Sequence, residues 1–195
     1  MVVGLTGRYC AGKDAAARVF ARRGFSVLDV DSLGHAVLAE SAAAVEAAFG
    51  PGVMRPDGTV DRGALGRVVF ADPAALRRLE AIVHPAMVER VRAFIAAHPG
   101  DVLVNAAVLQ RMGLVPLCAA VVWVAAPAVV RLARALRRDR IGLRGALARI
   151  RAQSDVRPQF NDPGVDTYTV PNRGTARSLE RRVDALIRRM KDGEG

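Results

Sequence analysis

Val2-Val3-Gly4-Leu5-Thr6-Gly7-Arg8-Tyr9-Cys10-Ala11-Gly12-Lys13-Asp14 is the stretch that decides the fold. Residues 2–6 read as a short apolar strand, and residues 13–23 as a helix closed by Gly24. Between them, Gly7 to Lys13 fits the pattern G-x-x-x-x-G-K, with Asp14 where a serine or threonine usually follows. In such a loop successive backbone N–H groups converge on phosphate oxygens. The helix N-terminus adds positive potential, and the lysine neutralises the outer phosphates. The bland reading is a glycine-rich turn with an exposed lysine, but the pattern in its strand–loop–helix setting favours nucleotide binding.

Moving outward, strands and helices alternate, which predicts an α/β fold with a parallel sheet flanked by helices. Further strands are expected at 25–30, 102–108, 120–125 and 167–170. The seventy or so residues between the second and third strands exceed any simple crossover. They read as an inserted helical lobe over 32–98, with helices at 32–39, 42–49, 62–70 and 74–97, the last bent near Pro85. Asp61 and Asp72 are placed as N-caps and Pro56-Asp57-Gly58 as a turn. A second helical excursion covers 131–157. The C-terminal helix carries Leu179, Val183, Leu186, Ile187 and Met190 on one stripe, read as core packing. The whole is expected to be a single domain over 1–195.

Composition narrows the function classes. The chain has 195 residues, half of them hydrophobic (51%), so disorder is excluded. Its net charge of +10 points toward phosphate, nucleic acid or an acidic surface. Only Lys13 and Lys191 are lysines, so the excess is arginine, and nine arginines fall within 131–157 against Asp139 and Asp155. Guanidinium groups suit triphosphate oxygens, so part of this segment reads as phosphate-contacting and the rest as a solvated arginine-rich surface. Aromatics are scarce (5%) and no nucleic-acid-binding pattern stands out, so no nucleic-acid partner is expected. Two cysteines, Cys10 and Cys118, exclude a disulfide-stapled scaffold. The uncharged run 113–130 is interrupted by Pro116 and Pro127 and is read as containing a buried strand, not a membrane span. With no basic leader before Val2, a cytoplasmic protein without a membrane partner is expected, as a monomer or small homo-oligomer.

The ordered set of motifs resembles the dephospho-CoA kinase family. The family opens with Gly-Leu-Thr-Gly, as Gly4-Leu5-Thr6-Gly7 does, and its second strand ends in Asp-x-Asp, matched by Asp29-Val30-Asp31. The lobe is similar at Asp57-Gly58-Thr59-Val60-Asp61-Arg62 and at Leu79-Glu80-Ala81-Ile82-Val83-His84-Pro85. Arg134-x-x-x-Arg138-Asp139 and Ala148-Arg149-Ile150-x-x-Gln153 look like its lid, and Asn172-x-Gly174 like its nucleotide-base segment. Three departures stand out. The family usually has Gly-Ile-Gly-Ser where this chain has Arg8-Tyr9-Cys10-Ala11. Asp14 replaces the hydroxyl that ordinarily binds Mg²⁺. The third strand runs into Asn105-Ala106-Ala107 where the family favours Pro-Leu-Leu.

The resemblance implies ATP as phosphoryl donor, Mg²⁺, and dephospho-CoA as acceptor. Gly7, Arg8, Tyr9, Cys10, Ala11, Gly12, Lys13 and Asp14, with Arg134, Arg138 and Asn172, are the implied ATP-binding set. Lys13 and Arg138 are assigned to the phosphates. Asp31 is implied as the carboxylate at the ribose 3′-hydroxyl, against the simpler reading of a helix N-cap, while Asp29 is read as structural. His35, Arg62 and His84 are placed near the acceptor, although Arg62 fits an exposed helix start equally well. Asn172 reads either as an adenine contact or as a turn former. Asp14 is the candidate Mg²⁺ ligand, or else turns toward Arg8 or Arg18. A nucleotide-binding relative without catalysis is the alternative to the kinase, and a basic nucleic-acid-binding protein a more distant one.

Overall fold

Strand β1 (Val2–Thr6) lies at the centre of a five-stranded sheet of order β2-β3-β1-β4-β5. The computed structural model describes residues 1–139, 142–151, 153 and 164–192. The other strands are β2 (Ser26–Asp29), β3 (Val102–Asn105), β4 (Ala120–Ala125) and β5 (Asp166–Pro171). Parallel pairing joins β1 to β3 with Leu5 opposite Asn105, β1 to β4 with Thr6 opposite Trp123, and β4 to β5 with Ala125 opposite Pro171. Central parallel strands are covered on both faces, so their sequences are continuous apolar runs instead of alternating ones. All four residues of β3 are buried, as are five of the six in β4. Pro171 costs the ladder little because it ends an edge strand.

Helices α1 (Lys13–Arg22) and α8 (Ala176–Asp192) supply much of this core. Ala16, Val19 and Phe20 pack with Val3, Leu5, Val122 and Val124, and with Leu179, Val183, Ile187 and Met190 of α8. The spacing of four, four and three along α8 puts its apolar residues on a single stripe, which is spent on the sheet. Thr175 caps this helix, its Oγ1 accepting from the Ser178 N–H at 3.3 Å. Gly4 makes the tightest passage in β1. A Cβ there would stand 2.6 Å from Leu109 Cδ2 and 3.0 Å from Cys118 Sγ.

The chain divides into two compact units, Met1–Leu28 with Ile95–Gly195, and Asp29–Phe94. The second unit holds α2 (Val30–Glu40), α3 (Ala42–Phe49), α4 (Arg62–Ala71) and most of α5 (Pro73–Ala97), around Val45, Val53, Val60, Leu65, Val69 and Ala75. Asp61 caps α4 through the N–H groups of Gly63 (2.8 Å) and Ala64 (3.0 Å), and Asp72 accepts from Ala74 N–H at 2.8 Å. Between α3 and α4 the chain makes a small reversal, with Met54 bridged to Val60. There Asp57 accepts from the backbone and hydroxyl of Thr59, and Gly58 takes φ +79°. Helix α5 continues through Pro85.

Three boundaries differ from the sequence expectation. The second strand ends at Asp29, not Val30, because the Asp29 carboxylate accepts from the N–H groups of Asp31 (3.1 Å) and Ser32 (3.4 Å) and so starts α2 at Val30. The third strand stops at Asn105, not Val108, because past Ala106 the backbone bonds locally, Met112 N–H to Val108 O and Leu114 N–H to Leu109 O. The 131–157 excursion begins earlier, as α6 (Ala128–Arg138), followed by α7 (Leu143–Arg151). Arg140, Asp155 and Arg157 of the expected lid lie outside the described residues. Run 113–130 contains β4 and a short 3-10 turn at Val115–Leu117, and no described helix is long and apolar enough to cross a membrane.

Gly4→Ala is expected to destabilise the chain by about 1–3 kcal/mol, because Leu109 is the atom it meets. Adding Leu109→Val should recover part of that loss. Denaturant titration followed by the fluorescence of Trp123, the one tryptophan of the chain and a buried residue, measures both.

Candidate functional site

Helix α1 starts without a side-chain cap: Gly12 holds the N-cap position in the left-handed region at φ +104°. No side chain therefore caps the helix start, the place where a phosphate loop meets its anion. Gly7 has room for no side chain, since a Cβ would come within 2.7 Å of the Val124 carbonyl oxygen. At Gly12 a Cβ would stand 2.2 Å from Asn172 Nδ2. Cys10 is the sole non-glycine with positive φ (+58°) among the described residues. A side chain in that region costs about 1–2 kcal/mol, and it stands where the resembled family usually has glycine.

Side chains from elsewhere hold this conformation. Arg134, on α6, donates through one terminal nitrogen to the carbonyls of Cys10 (3.4 Å) and Ala11 (3.1 Å). Through the other it donates to the backbone and side-chain oxygens of Asn172 (3.3 and 3.1 Å). Asn172 is buried just past β5. Its Nδ2 donates to Ala11 O at 2.7 Å, and its own N–H donates to Ala125 O at 2.6 Å. The amide expected to read adenine is thus engaged with the loop. Arg131, one turn before Arg134, is a buried cation whose Nε donates to Ala126 O at 3.2 Å. Burial, and then the nearby charge of Arg8, hold its pKa below the usual arginine range.

Lys13 is mostly covered, and its Nζ donates to Asn105 Oδ1 at 2.8 Å, with Asp14 Oδ1 at 3.9 Å. Asn105 is 3% exposed at the carboxyl end of β3. It was quoted from sequence only as a departure, yet a buried polar residue at that end of a parallel strand is where such sheets place ligand-handling groups. Asp14 sits in the first turn of α1 with its carboxylate exposed, facing Lys13 and Arg138 Nη1 (3.9 Å each), not Arg8 or Arg18. Among the described residues no cluster of three or more His, Cys, Asp or Glu could hold a metal by itself. A lone carboxylate beside a phosphate loop suits Mg²⁺ that arrives with a nucleotide, since that ion takes one or two carboxylates plus substrate phosphates.

Over the loop, Arg138 donates to Asp139 through Nε (2.7 Å), and Arg149 donates to the same carboxylate at 3.0 Å. The Tyr9 hydroxyl donates to Asp139 Oδ2 and accepts from Arg149 at 3.2 Å. Hydrogen bonding from Arg138 and then Tyr9 brings the Asp139 carboxyl down to about 2. Tyr9 was expected in the ATP-binding set and Asp139 in the lid motif, but their pairing with each other and with Arg149 was not foreseen; the signal was an acid inside an arginine-rich segment.

The second unit carries the acceptor candidates. Asp31 and His35 are four residues apart on α2 and so share a face. Asp31 is exposed in the first turn, and the capping role belongs to Asp29 instead. Arg62, the first residue of α4, meets His35 with its Nη2 2.6 Å from the ring Nε2, which accepts the bond as the unprotonated nitrogen. His84 is partly buried on α5, immediately before Pro85.

The two thiols differ in reach. Cys118 is buried, donates to Leu114 O at 3.4 Å, and is pushed up to about 12 by burial. The Cys10 thiol is also raised, by burial first, with the Arg138 charge opposing. Alkylation by iodoacetamide near pH 8 is expected to label Cys10 alone in the native chain, and more slowly than a free thiol, because less thiolate is present. Peptide mass spectrometry checks this; native-state labelling of Cys118 would contradict it.

The comparisons with known proteins agree with this geometry. A family model described as Dephospho-CoA kinase matches residues 1–162. A dephospho-CoA kinase of Anaeromyxobacter dehalogenans is 38% identical, covering 100% of this chain and 94% of that protein. One from Geobacter metallireducens is 40% identical over 95% of this chain and 94% of its own length. The solved dephospho-CoA kinase from Campylobacter jejuni superposes with a TM-score of 0.71 at 20% identity, covering 100% of this chain and 98% of that one, which supports the fold. The chain belongs to the dephospho-CoA kinase family.

Proposed function

We propose that this chain transfers the γ-phosphoryl group of ATP to the ribose 3′-hydroxyl of dephospho-CoA, giving CoA in the last step of its biosynthesis. It acts in the cytoplasm as a monomer or small homo-oligomer, without a nucleic-acid or membrane partner. One observation carries the reading: an uncapped helix N-terminus follows a glycine-pinned loop, with Lys13 at its start, in a chain matched by the family over residues 1–162.

Phosphoryl transfer of this kind passes through a loose transition state, so positioning and charge stabilisation supply most of the catalysis. The Tyr9 and Ala11 N–H groups are taken by Gln153 and by the Arg8 carbonyl, so the N–H groups at the start of α1 meet the β- and γ-phosphates. Lys13, directed by Asn105, neutralises them, and Arg138 meets the charge that develops on the transferring group. Arg134 and Asn172 act from behind, holding the loop carbonyls so that the N–H groups face inward. Mg²⁺, when bound, neutralises phosphate charge, and Asp14 is the residue that would hold it. Asp31 orients the 3′-hydroxyl and takes its proton as the oxygen bonds to phosphorus and the bond to ADP breaks. His35, Arg62 and His84 serve the acceptor, with Arg62 offering a cation to its acidic groups.

A coupled assay of ATP and dephospho-CoA, following CoA and ADP with and without Mg²⁺, tests the reading. Asp31→Asn is expected to lower kcat by about 100-fold or more while leaving ATP affinity near wild type. Lys13→Ala should weaken both. Asp14→Asn should flatten the metal dependence of ATP binding and improve metal-free affinity, because it removes a negative charge from the triphosphate site. Replacement of the usual hydroxyl by Asp14 favours one second reading, a nucleotide-binding protein without catalysis. ATP binding with no CoA formed under any divalent metal would select it.

A further inference from the structure

Three kinds of contact converge on Tyr9, and none is needed to form a phosphate loop. Its hydroxyl joins Asp139 and Arg149. Its ring lies beneath two guanidinium groups, with Arg138 Cζ 5.4 Å and Arg149 Cζ 5.7 Å from the centroid. Its backbone N–H donates to Gln153 Oε1 at 2.5 Å. Guanidinium groups are drawn to the face of an aromatic ring, and a carboxylate fixes a guanidinium best when it engages one edge of the fork. Asp139 does this for Arg138, taking Nε (2.7 Å) and Nη2 (3.4 Å) and leaving Nη1 turned toward Asp14 at 3.9 Å. Both arginine side chains remain about half exposed, at 55% and 54%.

From this geometry we propose that Tyr9, together with Asp139, is a positioning residue for ATP: it holds Arg138 and Arg149 over the phosphate loop before the nucleotide arrives. The proposal rests on the ATP-binding part of the function proposed above. An arginine free to sample its rotamers must be ordered when it meets a phosphate, and ordering a long side chain costs about 0.5–1.5 kcal/mol. Two arginines already held by one tyrosine and one carboxylate avoid that cost, so Tyr9 acts on ATP affinity through the guanidinium groups.

Calorimetric titration of ATP with Mg²⁺ into the full chain tests this. Tyr9→Leu is expected to weaken ATP about tenfold and Tyr9→Phe, which keeps the ring and loses the hydroxyl, about threefold. KM for ATP should rise accordingly, while KM for dephospho-CoA stays within about twofold of wild type, a split that a general loss of structure does not produce. In an Arg138→Ala/Arg149→Ala background, Tyr9→Leu should cost less than about twofold, because the groups it positions are gone. Wild-type ATP affinity in folded Tyr9→Leu would overturn the proposal, as would a full tenfold loss in the arginine-free background. Trp123 fluorescence reports folding; if Tyr9→Leu does not fold, Tyr9→Phe decides by the same threefold criterion. Wild-type protein that binds ATP but makes no CoA would sink the kinase reading and leave this affinity test intact. Absence of ATP binding would sink both.

Discussion

The outward-facing carbonyls of Cys10 and Ala11 set the terms for the rest of the structure. A loop that turns its N–H groups toward a phosphate must turn carbonyls the other way, and those need donors of their own. Arg134 and Asn172 supply them. Arg134 comes from α6, which follows β4, and Asn172 from the chain just past β5. The order β1-β4-β5 therefore brings both donors to one side of the loop, and the Asn172 N–H bond to Ala125 O ties that segment to the end of β4. Sheet order thus does more than bury valines: it delivers the two side chains without which the loop carbonyls would be left unpaired.

Charge is arranged around the same point. Two like unit charges 4 Å apart repel by about 4 kcal/mol at an effective dielectric near 20. Arg138 and Arg149 sharing one tyrosine ring would therefore be unfavourable without a countercharge. Asp139 bonds to both and ends α6, so its carboxylate lies where the chain leaves that helix. Asp14 adds a second, more exposed negative group facing Lys13 and Arg138. Among the described residues, Asp139 and Asp14 thus offset part of the positive charge that Lys13, Arg138 and Arg149 bring to the loop.

Most of the fold was legible in the residues because buried parallel strands and capped helices leave local marks. The valine runs of β1 and β4, the Asp61 and Asp72 caps and the stripe along α8 depend on neighbours in sequence or on burial alone. Strand ends were harder. Asp29 and Asp31 are the same residue type two positions apart, and only the hydrogen bonds to the N–H groups of Asp31 and Ser32 show which one caps. After Asn105 the chain brings Leu109 beside Gly4, a hundred residues away, a contact that no local pattern announces. In the site, Lys13 and the loop glycines were readable because backbone chemistry requires them at fixed spacing. The pairings of Lys13 with Asn105 and of Tyr9 with Asp139 were not, since each joins residues distant in sequence.

Cys10 shows how these levels meet. With glycine absent, the left-handed conformation at φ +58° carries a side-chain penalty of about 1–2 kcal/mol. Loss of that conformation would move the Cys10 and Ala11 carbonyls away from Arg134 and Asn172, leaving the buried Asn172 amide and the partly buried Arg134 guanidinium without them. A net hydrogen bond is worth about 1 kcal/mol, and leaving a buried donor unpaired costs about 1–3 kcal/mol. The bonds that Arg134 and Asn172 make to the loop therefore outweigh the strain at one residue. A loop with Arg8 and Cys10 where two glycines are usual keeps its shape because Gly7 and Gly12 remain at its ends and Arg134 of α6 and Asn172, just past β5, hold its carbonyls from outside.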